Sequence, residues 1–373
     1  MSQLFSPLTL RDLTLRNRTV VAPMCQYSAQ HGLVNDWHFV HLGRFAIGGF
    51  GLVIMEATGV TPEGRISYGD TGIWDDAQVP GLAHIVDFLH REGAAAGIQL
   101  AHAGRKASTP IAWRHGFDET EAEKPAVAFE AWTPLAPSAL IHSEKTPGYT
   151  LPRAMTEDDI QRTIAAFAEG ARRADRAGFD VVEIHAAHGY LNNQILSTAS
   201  NKRTDRWGGS LENRMRLALE VTEAVRAAWP EGKPLFVRVS GVDGANGWSL
   251  EDSKVLAREL TKRGVDLIHV TSGGMEGPGG LKPEPLYQVP LAAAIRETGA
   301  RTIAVGLIDD PHDAEAIIER GESDLVAFAR TALEDPNWPI HAERALDGAQ
   351  YDLWPIQARE RIRGKDRALG RLQ

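Results

Sequence analysis

The most informative stretch of this sequence is Val181-Val182-Glu183-Ile184-His185-Ala186-Ala187-His188-Gly189-Tyr190, an apolar run that ends in two histidines and a tyrosine. The apolar part predicts a buried strand, and the polar residues fall in the loop behind it. In an α/β barrel such a loop opens onto the catalytic face. The stretch therefore indicates a polarised oxygen with a proton donor beside it.

Short apolar runs of the same kind recur along the chain and alternate with helical stretches. Parallel strands that are buried on both faces have this continuous apolar character. The pattern predicts an α/β fold, a (β/α)8 TIM barrel that forms a single domain over residues 1–373. The predicted strands are Thr19–Ala22, Leu52–Ala57, Gly97–Leu100, Asp180–His185, Leu235–Ser240, Leu267–Thr271, Thr302–Val305 and Leu325–Ala329. Helices with polar caps and a terminal glycine or proline are predicted at 156–178, 210–228, 249–264 and 311–321.

Two segments exceed what a barrel needs. About fifty residues, Arg105 to Met155, separate the third strand from the next helix, and they are rich in proline, tryptophan and charge. An ordinary connection is far shorter, so we expect a lid insertion over the catalytic face, with a decorative excursion as the alternative. Residues from about 336 to 373 form a C-terminal extension, which we expect to serve an oligomer contact.

The composition bounds the class of protein. With 43% hydrophobic and 24% charged residues, the chain can bury a large core without metals or cross-links. A net charge of -9 argues against general attraction to nucleic acid or an anionic membrane. The single cysteine, Cys25, excludes an intrachain disulfide. No basic and apolar leader and no run of about 18 apolar residues occurs, so we expect a cytoplasmic protein.

Polar residues at the other strand ends indicate an anionic ligand. Gly273 and Gly306 follow the sixth and seventh strands and Arg330 follows the eighth, as in the phosphate sites of many barrels, although glycines there are also ordinary turn residues. Arg238 lies on an apolar strand, where a charge needs an anionic ligand or a structural ion pair. Gln99 suits the edge of a heterocycle, or it satisfies backbone groups as a buried amide.

The two histidines at the end of the fourth strand have two interpretations. Imidazoles three residues apart match a metal-ligand spacing, and Glu183 could share the strand face of His185, but a third ligand is lacking and we expect no metal. We favour hydrogen-bond donation by His185 and His188 to a carbonyl oxygen. Tyr190, protonated at pH 7, can then deliver a proton to carbon.

Taken together, the strand-end residues resemble the old yellow enzyme family of FMN-dependent ene-reductases, in its thermophilic-like or xenobiotic-reductase-like class. The resemblance covers nearly the whole chain. Its motifs are Leu15-Arg16-Asn17-Arg18, Ala22-Pro23-Met24-Cys25-Gln26-Tyr27-Ser28, Gln99-Leu100-Ala101-His102-Ala103-Gly104-Arg105-Lys106, His185-Ala186-Ala187-His188-Gly189-Tyr190-Leu191, Asn201-Lys202-Arg203-Thr204-Asp205 and Val237-Arg238-Val239-Ser240.

The resemblance implies non-covalent FMN and NADPH or NADH as the reductant. It implies that His185 and His188 bind a carbonyl or nitro oxygen, that Tyr190 protonates the α-carbon, and that Tyr27 assists at the oxygen or forms the pocket wall. Cys25 would tune the flavin, or it is a small buried hydrophobe. The implied flavin contacts are Ala22, Pro23, Met24, Cys25, Ala57, Gln99 and Arg238, and the implied phosphate contacts are Gly306, Ala329 and Arg330.

The implied activity is reduction of the C=C bond of α,β-unsaturated carbonyl or nitro compounds, with hydride from reduced FMN and a proton from Tyr190. The alternatives are an FMN barrel of dihydroorotate dehydrogenase or hydroxy-acid oxidoreductase type, a flavin-free lyase or metal hydrolase, and a non-catalytic flavin-binding protein. The chain departs from the family at Ala329, where glycine is usual, and in the tail. There Trp354, Arg359 or Arg361 could reach a neighbouring subunit's site, in a homodimer or a tetramer of dimers.

Overall fold

The computed structural model of the protein describes residues 2–111, 130–145, 148–276 and 279–372. Eight strands of these residues pair in parallel and close into a barrel in the order in which they follow one another along the chain, the last returning to the first. The predicted TIM barrel is therefore confirmed. The strands are β1 (Leu8–Leu10), β2 (Leu13–Leu15), β3 (Thr19–Val21), β4 (Leu52–Gly59), β5 (Ala95–Ala101), β6 (Leu135–Ala136), β7 (Arg153–Ala154), β8 (Val181–Ala186), β9 (Leu235–Ser240), β10 (Leu267–Thr271), β11 (Thr302–Ala304) and β12 (Leu325–Phe328), of which β3, β4, β5 and β8 to β12 form the barrel.

The helices surround this barrel and begin where the sequence provides a cap. The hydroxyl of Thr156 accepts from the amide of Asp159, and the Asp159 carboxylate accepts from the amide of Thr156, at the start of the long helix before β8. The helices are α1 (Asp36–Ile47), α2 (Val79–Arg91), α3 (Glu157–Arg176), α4 (Leu191–Leu196), α5 (Leu211–Ala228), α6 (Leu250–Lys262), α7 (Val289–Arg296), α8 (Pro311–Glu319), α9 (Arg330–Glu334), α10 (Trp338–Asp347) and α11 (Ile356–Ala368), with short 3-10 turns at Pro62–Gly64, Asp76–Gln78 and Gly104–Lys106. None of the helices in the described ranges is long and apolar enough to cross a membrane.

The interior of the barrel is apolar in its lower part, the end at which the strands begin. The hairpin of β1 and β2, which the sequence analysis missed, contributes Leu10 and Leu15 to the same core as Phe236 and Ile303 from the barrel strands. This hairpin closes the end of the barrel at which the strands begin. The polar residues of the strands are therefore concentrated towards the opposite end, where catalytic loops lie in this fold.

The long insertion lies between β5 and α3. Its described part contains β6 and β7, which form a two-stranded parallel sheet. Trp132, from the same part, donates through Nε1 to the carbonyl of Glu63 at 2.9 Å. It packs, as Tyr190 does, against the cluster of Ile66, Ala103 and Ala107. Residues 112–129 and 146–147 of the predicted lid lie outside the described residues, so its closing role stays a prediction.

The C-terminal segment is in part integral to the barrel. Trp338 at the start of α10 is only 5% exposed and packs against Phe328 of β12, with ring centroids 4.0 Å apart and an interplanar angle of 38°. Burial of an aromatic pair of this kind stabilises the fold by a few kcal/mol, on the order of 3–5 kcal/mol for the larger ring. α11 is more exposed, although its Asp366 is buried and accepts a hydrogen bond from Tyr351 at 2.9 Å. The assignment of the whole chain to one domain stays a prediction.

Candidate active site

Four polar side chains, one from each of β5, β8, β9 and β10, lie together in the upper part of the barrel, towards the carboxyl ends of the strands. Gln99 donates through Nε2 to Glu183 Oε1 at 2.6 Å, and Glu183 Oε2 lies 2.8 Å from Nδ1 of His269. Arg238 pairs in strand register with His185 on one side and with His269 on the other. All four residues are buried. They form the floor beneath the loops that carry the remaining site residues.

The charges on this floor are defined by their neighbours. Burial alone would raise the pKa of Glu183, but His269, Arg238 and Gln99 together hold it below its usual value, so the carboxylate is ionised. Burial and the charge of Arg238 lower the pKa of His269, which is therefore neutral at pH 7. The guanidinium of Arg238 stays charged. Its Nε has no hydrogen-bond partner among the described residues, which leaves a buried donor available to a ligand.

Three rings, that of His185 at the end of β8 and those of His188 and Tyr190 in the loop after it, converge next to this floor. The His185 ring meets that of His188 at a centroid distance of 5.3 Å and that of Tyr190 at 4.9 Å, both nearly edge to face. The predicted grouping of these residues is present in the structure. Lys106 lies beside them, with Nζ 5.3 Å from the centroid of the Tyr190 ring.

The loop is held in a conformation that needs support. His188 has a φ of 57°, in the left-handed region that is uncommon for residues other than glycine. Its amide donates to Ser240 Oγ at 3.0 Å, and its carbonyl accepts from Lys106 Nζ at 2.8 Å. Gly274 approaches so closely that a Cβ there would lie 1.9 Å from the carbonyl carbon of His188. Neighbouring elements therefore fix this turn, as is common at functional sites.

The two histidines are not equivalent as donors. His185 Nδ1 accepts from the amide of Ala187 at 3.2 Å, so the proton of the neutral ring is on Nε2. His188 Nε2 lies 3.0 Å from Thr271 Oγ1, and that hydroxyl donates to Gln288 Oε1 at 2.8 Å. His188 Nε2 is consequently a donor that already has an acceptor.

Burial also sets the protonation states of these rings. It lowers the pKa of both His185 and His188 far below the ordinary value, and the nearby positive charge of Arg238 acts in the same direction. Burial raises the pKa of Tyr190 well above its ordinary value. At pH 7 the site therefore contains two neutral imidazoles and a protonated phenol.

The segment after β3 brings Cys25 and Tyr27 to the same cluster as Tyr190. The Tyr27 hydroxyl and the Cys25 sulfur are hydrogen-bonded, and burial raises the pKa of both groups. The segment is anchored by Glu56 at an irregularity of β4, where the register shifts between Met55 and Ala57. Glu56 Oε2 accepts from the amide of Gln26 at 2.6 Å.

The remaining predicted cofactor contacts lie together. A cavity of about 160 Å³ at the ends of the last strands is lined by Arg238, Gly306, Ala329 and Arg330. Gly306 has a φ of 133°, and a Cβ there would lie 3.0 Å from Gln288 Nε2. Ala22 follows β3 directly, and Ala57 pairs in register with Gln99. The unpartnered Arg238 donor and the cavity lined in part by Gly306 and Arg330 fit a phosphorylated heterocycle such as FMN.

Trp354 is the predicted site residue that the structure does not bring to this cluster within one chain. It lines a pocket with Arg16, Glu92 and Arg359, at the ends of α1 and α2. These helices lead into β4 and β5, so the pocket lies at the barrel end opposite the catalytic loops. Trp354 could contribute to a catalytic site only if it reached the site of a second subunit.

Sequence reasoning missed several residues of the site. His269 and Thr271 lie on β10, a strand that was predicted correctly. Glu56 lies on β4, Lys106 ends the 3-10 turn after β5, and Gln288 precedes α7. A signal was available for His269, because a polar residue inside an apolar strand is the criterion that identified Arg238. Among the described residues, no group of three or more His, Cys, Asp or Glu side chains is arranged to hold a metal ion.

This fold and donor set define a TIM barrel with a buried cationic donor and a cavity at the carboxyl ends of its strands. The sequence matches the NADH:flavin oxidoreductase / NADH oxidase family over residues 3–348. It is 46% identical over 358 residues to an NADPH dehydrogenase of Geobacillus thermodenitrificans. The alignment covers 95% of this chain and 97% of the relative.

Two solved structures are similar over nearly the whole chain. Morphinone reductase in complex with tetrahydroNAD has a TM-score of 0.74 and 29% identity, over 94% of this chain and 92% of the other. The old yellow enzyme homologue from Zymomonas mobilis has a TM-score of 0.74 and 27% identity, over 96% of this chain and 98% of the other. The chain belongs to the NADH:flavin oxidoreductase / NADH oxidase family, which is the old yellow enzyme family. The predicted family and FMN cofactor are thereby confirmed.

Proposed function

We propose that this protein reduces the activated C=C bond of α,β-unsaturated carbonyl or nitro compounds at the expense of NADPH or NADH. The observation that carries the proposal is the meeting of His185, His188 and Tyr190 at ring distances of 5.3 and 4.9 Å, with both imidazoles neutral and the phenol protonated. Such a set can polarise an oxygen and supply a proton to the carbon beside it. Overall, the alkene gains one hydride and one proton, and NAD(P)H becomes NAD(P)+.

FMN bound here would supply the hydride chemistry that links the nicotinamide to the β-carbon of the alkene. Arg238 would donate to the electron-rich edge of the ring, and Gln99 would bind its pyrimidine edge. Arg330 and the backbone of Gly306 and Ala329 would hold the phosphate. The segment from Ala22 to Cys25, together with Ala57, would contact the remainder of the ring. The cavity and the unpartnered Arg238 donor support this assignment.

The substrate oxygen would accept its first hydrogen bond from His185 Nε2, because the opposite nitrogen is occupied by the amide of Ala187. This bond strengthens as negative charge develops on the oxygen, which favours hydride addition at the β-carbon. His188 Nε2 would donate a second hydrogen bond to the same oxygen after it gives up its contact with Thr271. Tyr27 would form the pocket wall beside the oxygen, and Cys25 would adjust the flavin environment.

Tyr190 would hold its proton at Oη and deliver it to the α-carbon. Its raised pKa keeps the phenol protonated throughout the ordinary working range. Lys106 lies over the ring and donates to the carbonyl of His188, which fixes the loop on which the proton donor is carried. The described part of the insertion adds Trp132 to the same cluster, and this contact supports a lid that excludes water.

A homodimer or a tetramer of dimers in the cytoplasm would bring the tail of one subunit to the catalytic face of another. The placement of Trp354 at the far end of its own barrel supports a role for the tail between subunits.

An anaerobic visible spectrum tests the function. The yellow absorbance of the purified protein should bleach on addition of NADPH and return on addition of 2-cyclohexenone. Bleaching without recovery would limit the protein to flavin reduction and refute alkene reduction. A colourless protein that takes up no added FMN would overturn the assignment of the flavin site.

A further inference from the structure

Gln99, Glu183 and His269 form a hydrogen-bonded chain, the Glu183 network, in which Glu183 and His269 have no role in the proposed reaction. Both oxygens of Glu183 are engaged, one by Gln99 at 2.6 Å and the other by His269 at 2.8 Å. Glu183 and His269 are each 0% exposed. The network joins β5 to β10 across the interior of the barrel.

Arg238 extends from β9, the strand between those of Glu183 and His269. The upper interior of the barrel therefore contains one buried cation and one buried anion, together with a neutral imidazole. Arg238 Nε and His269 Nε2 are both buried and have no hydrogen-bond partner among the described residues. Glu183 and His269 thus adjoin the two side chains, Gln99 and Arg238, that are assigned to the flavin.

Fold stability alone gives little reason for these residues. An ionised carboxylate inside a barrel has a large desolvation penalty, and well-packed apolar side chains often serve a core as well or better. The lower interior of this same barrel is filled in that way, by Phe236, Ile303 and their neighbours. A carboxylate maintained at this level is better explained by its effect on what binds above it.

We propose that Glu183 is a positioning and charge-setting residue for the flavin. Its carboxylate holds the Gln99 amide in place and offsets part of the charge of Arg238, so the flavin is harder to reduce than Arg238 alone would make it. The inference rests on the proposed placement of the flavin against Gln99 and Arg238. The physical reason is that the flavin gains negative charge on reduction, which a nearby cation stabilises and a nearby anion opposes.

The test is the midpoint potential of the bound flavin in the purified holoenzyme, measured by equilibration with a reference dye. Glu183→Gln keeps the shape of the side chain and removes its charge. It should raise the potential by an amount equivalent to roughly a tenfold change in the ratio of reduced to oxidised flavin, or about 30 mV for a two-electron couple. An unchanged potential in this variant would overturn the proposal.

Two variants that retain the charge separate charge from shape. Glu183→Asp shortens the side chain, and His269→Gln removes the imidazole, and both should stay within about threefold of the wild-type ratio. If either shifts the ratio tenfold, charge is not the determinant and the proposal fails, even if Glu183→Gln does not retain flavin. Asp324→Asn is the matched control, because it removes a carboxylate that binds Arg296 at 3.0 Å at the opposite end of the barrel.

These measurements involve no alkene. A protein that shows the shift in Glu183→Gln but cannot reduce an enone would retain the inference and lose the proposed function. A protein that reduces enones but shows no shift would do the reverse.

Discussion

The rings of His185 and Tyr190 meet edge to face, at an interplanar angle of 84° and a centroid distance of 4.9 Å. His185 lies on β8 and Tyr190 in the loop directly after it, and their protons serve different purposes. His185 is neutral with its proton on Nε2, and Tyr190 retains its phenolic proton because burial raises its pKa. The pair therefore offers a hydrogen-bond donor for an oxygen and a transferable proton for an adjacent carbon.

Replacement of Tyr190 by Phe should slow alkene reduction while leaving flavin reduction by NADPH nearly unchanged. The hydroxyl is needed only when carbon is protonated, and general acid catalysis contributes on the order of 10²–10⁴-fold. Stopped-flow absorbance separates the two half-reactions. Equal slowing of both would refute the role of Tyr190 as proton donor.

Replacement of His185 by Ala should weaken phenol binding more than replacement of His188. The Nε2 proton of His185 is directed away from its backbone partner, whereas that of His188 already meets Thr271. We expect a loss of roughly ten- to a hundredfold in affinity for His185→Ala, which is the range for a hydrogen bond to a charged oxygen. The measurement is a titration of the flavin absorbance with a phenol.

The double variant, His185→Ala with His188→Ala, should abolish phenol binding. Phenol affinity that survives in the double variant would contradict the assignment of both residues. A larger loss for His188→Ala than for His185→Ala would instead show that ligand binding reverses the donor roles seen in the structure.

The barrel strands and the loop that contains the catalytic rings could be predicted because each is encoded locally. Apolar runs of four to eight residues, separated by capped helices, define β3 to β5 and β8 to β12 without reference to tertiary contacts. The hairpin of β1 and β2 escaped prediction because its strands have three residues each and the turn at Arg11 and Asp12 lacks the usual glycine.

The site was predictable only as far as strand ends could be identified. Which polar residues contact one another depends on the closure of the barrel, since Glu183 and His269 are 86 positions apart in the sequence. The anchoring by Glu56 depends on an irregularity of β4 that leaves no periodic signal. The distinction between His185 and His188 likewise depends on the neighbours of each ring, Ala187 and Thr271.

Replacement of Gly306 by Ala should weaken FMN binding by roughly tenfold or more. The position has a φ of 133°, and an added Cβ would lie 3.0 Å from Gln288 Nε2, so the cavity wall has to move. Flavin content and the Kd for FMN, measured by fluorescence quenching, report the effect. Gly348→Ala is the control, because Gly348 has a φ of 80° but nothing within 4 Å of an added Cβ. Equal losses of flavin in both variants would indicate general backbone strain, and not the cavity, as the cause.

The wild-type protein should become less stable as pH rises, and replacement of Glu56 by Gln should abolish this part of the pH dependence. Burial raises the pKa of Glu56 from 4.5 to about 8, so the folded state holds this proton more tightly than the unfolded chain does. The stability that protonation contributes is complete below pH 4.5 and is lost as pH rises through about 8, at no more than about 1.4 kcal/mol per pH unit. The amide of Glu56→Gln keeps an acceptor for Gln26 and has no such dependence.

Urea unfolding at about pH 6 and about pH 9 gives the difference in stability between wild type and Glu56→Gln. Glu212→Gln is the control, because the side chain of Glu212 is 85% exposed. If the gap between Glu56→Gln and wild type stays constant across this interval, Glu56 does not hold its proton in the fold.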